Sequence, residues 1–396
     1  MRVLLFTGKG GAGKTTTAAA TATLAAARGL KTLVISTDAA HSLADAFAAP
    51  IGAEPAELDA GLYGLQVDAQ GGFERSWREV QGYLLTLLES GGVDVLEAEE
   101  LTVLPGAEEV LALIEVRGQV LSGRWDLVVV DCAPAAETLR LLALPDVLTW
   151  YADRLFPVER RVVRSLRPVL SRVAGLPVPD DALFEAVARL REELAGVRRV
   201  LTDPELTSVR LVLTPEAVVV AEARRTLTSL SLYGYRVDGV VANRVFPPGG
   251  DDPWRAGWVA AQRAQLAAVD DSFAGLTVHR APYRASEPVG RDQLAELAAQ
   301  MYGADDPFAV RPTDDPVAVT RADSGGYLME IALPLADRSD VDLVRRGDEI
   351  VVTVAGHRRV LALPSALRRC VVTGAQLRAG RLRVDFAPDP ALWMST

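Results

Sequence analysis

Short, wholly apolar runs alternate with longer helix-forming stretches through most of the chain, and the rhythm changes near its C-terminal end. Residues 1–7 (MRVLLFT), 31–37 (KTLVIST), 127–130 (LVVV), 211–213 (LVL) and 240–242 (VVA) read as buried strands of a parallel sheet, apolar on both faces. The stretch from Thr15 (TTTAAATATLAAARG) is Ala-rich, a good helix former, and stops at Gly29. Residues 73–121 and 146–200 carry apolar side chains at helical spacing, which predicts helical insertions over about 71–121 and 146–206. An acidic, turn-rich linker occupies 304–316. Short alternating strands then follow over 317–390: Tyr327–Pro334, Ile350–Val354, Arg358–Pro364 and Arg381–Phe386. Strands so short and closely spaced predict a small all-β sandwich.

Between the first strand and its helix lies Gly8-Lys9-Gly10-Gly11-Ala12-Gly13-Lys14-Thr15-Thr16, which fits G-x-x-x-x-G-K-[ST]. Strand, glycine loop and helix come in the order that phosphate binding requires. Glycines let backbone N–H groups approach phosphate, and a helix N-terminus adds a favourable dipole. The loop predicts a P-loop NTPase: an α/β fold with a parallel sheet and helical insertions over 1–303, followed by the sandwich. Gly8, Gly10, Gly11, Ala12, Gly13, Lys14, Thr15 and Thr16 are the expected phosphate contacts. Lys14 reaches the β- and γ-phosphates, and the Thr15 hydroxyl binds Mg²⁺. Of 42 lysines and arginines only Lys9, Lys14 and Lys31 are lysine. A chain that uses arginine nearly everywhere keeps two compact ammonium groups in one loop, where a broad guanidinium threads poorly between phosphate oxygens.

Two strand ends carry carboxylates where open α/β sheets bind ligands, Asp38 and Asp131. An apolar run closed by Asp131 follows the logic of a carboxylate that holds Mg²⁺ through water. Asn243, the only asparagine in the chain, ends another apolar strand. Its amide can donate and accept along an adenine edge. The following Arg244-Val245-Phe246 lacks the Lys and Asp of a guanine-reading N-K-x-D motif, so ATP is expected rather than GTP.

The loop form K-G-G-x-G-K-T-T resembles the deviant Walker A of dimeric ATPases, in which the early lysine, here Lys9, reaches the partner's nucleotide. Ser36-Thr37-Asp38-Ala39-Ala40-His41-Ser42-Leu43-Ala44-Asp45-Ala46-Phe47 is similar to switch I of the arsenite-pump and tail-anchored-targeting (ArsA/GET) ATPases. Asp131-Cys132-Ala133-Pro134-Ala135-Ala136-Glu137-Thr138-Leu139-Arg140 resembles their switch II, with Ala135, Ala136 and Glu137 departing from its Thr, Gly and His. Pro282-Tyr283 opens a segment similar to the family's adenine loop. The resemblance implies Asp38, Lys9 and Lys14 as catalytic residues, with Asp38 orienting the attacking water. It also implies Asn243, Pro282 and Tyr283 at the base, and a homodimer. The helical insertions correspond to the subdomain that forms a client groove in the targeting members. Residues 317–390 resemble the α-crystallin (small heat-shock protein) domain through L-x-L-P, G-D-x-[IL]-x-V, R-x-x-x-L-P and G-x-L-x-V-x-F patterns.

Composition narrows the partners. A formal charge of −10 argues against a nucleic-acid surface. Cys132 and Cys370 are far apart, with no C-x-x-C, so no zinc clasp is expected, and the chain reads as a reduced, cytoplasmic protein. The first strand starts at once, so no signal peptide is expected, and no apolar run is long enough to span a membrane. The expected function is a Mg²⁺-dependent, ATP-hydrolysing homodimeric switch in protein targeting or chaperone-type holding of hydrophobic clients, with a membrane receptor as a further possible partner. Two alternatives stand: the energising subunit of an anion or metalloid exporter, and a slow nucleotide-gated interaction protein.

Overall fold

The computed structural model describes residues 1–38, 42–67, 81–82, 85, 107–133, 181–249, 252–310, 315–322 and 325–392. Its first elements are β1 (Arg2–Gly8), α1 (Lys14–Ala27), β2 (Thr32–Ser36), α2 (Ser42–Phe47), β3 (Ala56–Asp59) and β4 (Leu62–Gln66). Then come α3 (Ala107–Leu121), β5 (Leu127–Asp131), α4 (Asp181–Thr202), β6 (Thr207–Leu213), α5 (Ala217–Tyr233) and β7 (Val237–Val245). The nucleotide-type fold ends with α6 (Pro253–Ser272), β8 (Thr277–Pro282) and α7 (Arg291–Tyr302).

Eight strands form one sheet in the order β3-β4-β2-β5-β1-β6-β7-β8. Every pair is parallel except β3 with β4. β1, β2, β5 and β6 are buried at every position, the charged Arg2 of β1 and Arg210 of β6 included. Alanines 18, 19, 20, 22 and 25 of α1 bring that helix close over Leu4, Val34 and Val129, where larger side chains would hold it off. α3 and α4 belong to a second compact unit, Val67–Ser122 with Arg140–Val200, and Arg117 of α3 pairs with Glu193 of α4 at 2.9 Å. The expected helical insertions are helical in these parts. Residues 71–80, 83–84, 86–106 and 146–180, the arginine-rich stretch 154–167 among them, lie outside the described residues. Among the described residues no helix is long and apolar enough to cross a membrane.

The C-terminal strands are β9 (Val317–Arg321), β10 (Tyr327–Ala332), β11 (Val341–Arg346), β12 (Glu349–Val354), β13 (His357–Ala362), β14 (Cys370–Arg378) and β15 (Arg381–Pro388), with the short helix α8 (Ser365–Arg368). They form a four-stranded sheet, β14-β15-β10-β9, and a three-stranded sheet, β11-β12-β13. Met329, Ile331, Ile350, Val352, Leu382, Val384 and Phe386 alternate inward from these sheets into one core. The expected sandwich is present.

Candidate functional site

The nucleotide edge of the sheet is built from strand ends. β1 runs straight into the loop, and a Cβ at Gly8 would collide with the Val212 carbonyl oxygen of β6. The loop then closes on itself through Ala12 N–H donating to the Lys9 carbonyl at 3.2 Å. Gly13 caps α1 with φ 91°, a left-handed conformation, and a Cβ there would strike the Asn243 amide nitrogen. No acidic residue lies in the first turn of α1, so its N-terminal N–H groups face an anion without competition. The Thr17 hydroxyl donates to the Gly13 carbonyl at 2.9 Å and braces the cap.

The two loop lysines have separate surroundings. Lys14 is buried, and its charge acts on Asp131. Lys9 is partly exposed, and its Nζ lies 3.0 Å from Glu222 Oε2 on α5. One ammonium points into the site and the other out along its rim.

Asp131, Asp38 and Gln66 gather from three neighbouring strands. Ser36 of β2 and Phe6 of β1 flank Asp131 in register. The Thr37 N–H donates to the Asp131 carbonyl at 3.0 Å, which fixes the chain just before Asp38. The Asp131 carboxylate is fully buried, and neither oxygen has a hydrogen-bond partner among the described residues. Burial pushes its carboxyl up to about 7, and the Asp38 charge adds to this, while the Thr15 hydroxyl and Lys14 ammonium act in the opposite sense. Gln66 was not foreseen from the sequence. It ends an apolar strand, LYGLQ, by the same pattern as Asp38 and Asp131. Its Nε2 donates to the Asp38 carbonyl at 2.8 Å, while its buried Oε1 has no partner among the described residues. Cys132 beside Asp131 is buried, and burial raises its thiol far above the ordinary range.

Asn243 sits at the end of β7, against the loop. Its Nδ2 donates to the Ala12 carbonyl at 2.8 Å, and its Oδ1 accepts from Arg244 N–H at 2.9 Å. The Nδ2 end of the amide therefore braces the phosphate loop, while the Oδ1 end is held by the next residue of its own strand. Tyr283 N–H donates to the Val245 carbonyl at 2.8 Å, so Pro282 and Tyr283 close the edge beside Asn243. The Tyr283 ring stacks on Phe246, with centroids 4.8 Å apart and planes at 6°. Half-exposed, this aromatic pair continues outward to Trp258 and Trp254 on α6. Asp45 is exposed on α2, as a helix-side carboxylate. His41 of switch I and residues 134–140 of switch II, with Ala135, Ala136 and Glu137, lie outside the described residues.

Comparison with known proteins identifies the family. Residues 1–303 match the family of anion-transporting ATPases, and residues 324–386 match the HSP20-like domain found in ArsA. The chain is 43% identical over 394 residues to an uncharacterised protein of Streptomyces coelicolor, covering 99% of each. It is 36% identical over 370 residues to a putative arsenical pump-driving ATPase of Chlorobaculum tepidum, covering 93% of this chain and 91% of that one. An ATPase ASNA1 homolog of Trypanosoma cruzi is 31% identical over 328 residues, covering 75% of this chain and 91% of the relative. With a phosphate loop, two strand-end carboxylates and an appended β-sandwich in family order, the chain belongs to the ArsA family of anion-transporting ATPases, and it is an ATP-hydrolysing enzyme.

Proposed function

We propose that the protein is a Mg²⁺-dependent homodimeric switch in which ATP binding and hydrolysis open and close a surface for hydrophobic protein clients. The observation that carries this reading is the divergence of Lys9 and Lys14. Lys14 is buried toward Asp131, while Lys9 stands on the rim in reach of Glu222, placed to serve a site outside its own loop. Lys9 pairs with Glu222 within the chain, and its partly exposed ammonium is open to a nucleotide held by a second subunit.

The residues at the edge fit a hydrated divalent cation. Asp131 offers two buried, unpartnered carboxylate oxygens, and the Thr15 hydroxyl lies on the same side. When bound, Mg²⁺ neutralises charge on the β- and γ-phosphate oxygens. The chain's own groups do the rest. The loop N–H groups and Lys14 hold the phosphates, and Asp38 orients the attacking water. Gln66, bonded to the Asp38 backbone, steadies that carboxylate's strand end. Phosphoryl transfer asks mainly for such positioning and charge neutralisation. Asn243, Pro282 and Tyr283 flank the base, and the Phe246–Tyr283 stack gives adenine an aromatic neighbour.

Asp38→Asn tests the assignment. It keeps the shape of the side chain but removes the charge that aligns water. ATP turnover is expected to fall by about 10²- to 10³-fold, the usual cost of losing one preorganised contact, with ATP affinity little changed. Turnover within twofold of wild type would mean that Asp38 does not position the nucleophile, and would favour a slow nucleotide-gated interaction protein. Mass spectrometry of proteins co-purifying with this variant then identifies the client.

The names of several relatives support a second reading, the energising subunit of an arsenite exporter. Soft metalloids favour thiolate ligands. Cys132 and Cys370 are both buried, and burial raises both thiols, which disfavours that reading. Arsenite-stimulated hydrolysis would restore it.

A further inference from the structure

The two halves of α5 have different surroundings. Its second turn carries Glu222, the carboxylate that pairs with Lys9 at 3.0 Å. Its last two turns, Thr226 to Tyr233, are buried at every residue. A helix buried all round lies between two layers. One layer is β6 and β7 of the nucleotide sheet, and the other is the sandwich, through β10, β12 and β13. Leu232 is fully buried within the sandwich core, together with Ile350, Val352, Val354 and Leu363. The Thr228 hydroxyl donates to the Pro334 carbonyl at 2.5 Å, and the Tyr233 hydroxyl to the Arg358 carbonyl at 3.4 Å. The buried Arg359 guanidinium donates to the Leu232 carbonyl. The sandwich therefore does not close its own interior, because a side chain of the ATPase completes it.

We propose that α5 reports the state of Lys9 to the sandwich: when Lys9 leaves Glu222, the seat of Leu232 loosens and the β12–β13 hairpin opens. This inference rests on the switch reading above, in which a nucleotide draws Lys9 away. A partly exposed ion pair is weak, so phosphate oxygens displace it easily. Packed interiors do not deform continuously, so a shift of α5 has to appear as repacking where its far end is enclosed. Only the sandwich end of α5 combines full burial with anchoring bonds to the sandwich, at Pro334 just past β10 and at Arg359 of β13. The sandwich thereby becomes the part of the molecule whose exposed surface follows the nucleotide.

Amide hydrogen exchange on the full-length protein tests this. Without nucleotide, Glu222→Gln is expected to speed exchange in residues 350–354 and 357–362 by roughly fivefold over wild type, the lower end of ordinary coupling between sites. Wild type with Mg²⁺ and a non-hydrolysable ATP analogue is expected to show the same acceleration while residues 8–16 become protected. Arg224→Gln, an exposed change on the same helix, is expected to leave the hairpin as it is. Unchanged hairpin exchange in Glu222→Gln overturns the proposal, as does equal acceleration by Arg224→Gln. Loop protection with an unaltered hairpin also overturns it and leaves the switch standing. Acceleration by Glu222→Gln without loop protection by the analogue supports the coupling and removes the nucleotide reading instead.

Discussion

Asp131→Asn is expected to make the ligand-free protein more stable at pH 8 while cutting ATP turnover by about 10²- to 10³-fold. The two effects have one cause. Asp131 is buried with both carboxylate oxygens unpartnered among the described residues, and its carboxyl is pushed up to about 7 from an ordinary value of 3.8. A carboxyl with a raised folded pKa binds its proton more tightly in the native state than in the unfolded one. Native stability therefore falls as pH rises from about 4 to about 7, and stays at the lower level above that. The stored cost is on the order of 2–4 kcal/mol. An amide has no charge to bury and escapes it. The melting temperature of Asp131→Asn should exceed that of wild type by several degrees at pH 8, and the difference should vanish near pH 4. Mg²⁺ with ATP should raise the melting temperature of wild type well above that of the variant. A variant that is less stable at pH 8 would show that the buried charge is already satisfied by neighbours.

The largest stability loss is expected from Asp238→Ala. Asp238 on β7 is buried between two buried guanidiniums. Arg210 Nε donates to its Oδ1 at 3.2 Å, Arg2 Nη2 reaches its Oδ2 at 3.4 Å, and the Ser208 hydroxyl donates to Oδ2 at 2.6 Å. Burial lowers the Arg2 guanidinium, with Asp238 opposing. Burial also acts to lower Arg210, but Asp238 and Tyr302 outweigh it and hold that group above its ordinary value. Removing the one carboxylate leaves two cations without compensation in a low-dielectric interior, a change that costs about 3–5 kcal/mol. Chemical denaturation should show that loss. Arg210 also bonds to Tyr302, whose hydroxyl lies 2.7 Å from Thr21 on α1, so the network ties β6 to the helix that follows the phosphate loop. A loss below about 1 kcal/mol would mean that water reaches these guanidiniums.

Much of this was legible in the residues. The phosphate loop, Asp38 and Asp131 are legible because each follows a short run rich in apolar residues, the composition expected of a buried parallel strand. The strands the pattern missed are β3, β4, β8, β9, β11 and β14, and all of them except the interior β4 are the last strand of their sheet. A margin strand has solvent along one side and carries more charge, as in VDLVRR of β11, or a bulge, as between Val372 and Gly374 of β14. Pairings across long sequence distance were also hidden. Nothing in the neighbourhood of Glu222 signals that it meets Lys9, 213 positions earlier in the chain. Asn243 shows the opposite limit. Its rarity marked it and its chemistry suggested a base contact, but no local signal showed that its Nδ2 also holds the loop through the Ala12 carbonyl. Leu232 reads as an ordinary helix core position, and only the assembled sandwich reveals that it fills a second core.

In the proposed switch the two loop lysines serve different subunits. Sedimentation velocity of wild type and Lys9→Ala, each with and without Mg²⁺ and a non-hydrolysable ATP analogue, tests it most directly. Wild type should shift to a dimer on adding the analogue, and Lys9→Ala should bind the analogue yet fail to dimerise, with turnover lower by about 100-fold. A Lys9→Ala protein that dimerises with nucleotide and turns over ATP at the wild-type rate would contradict the account.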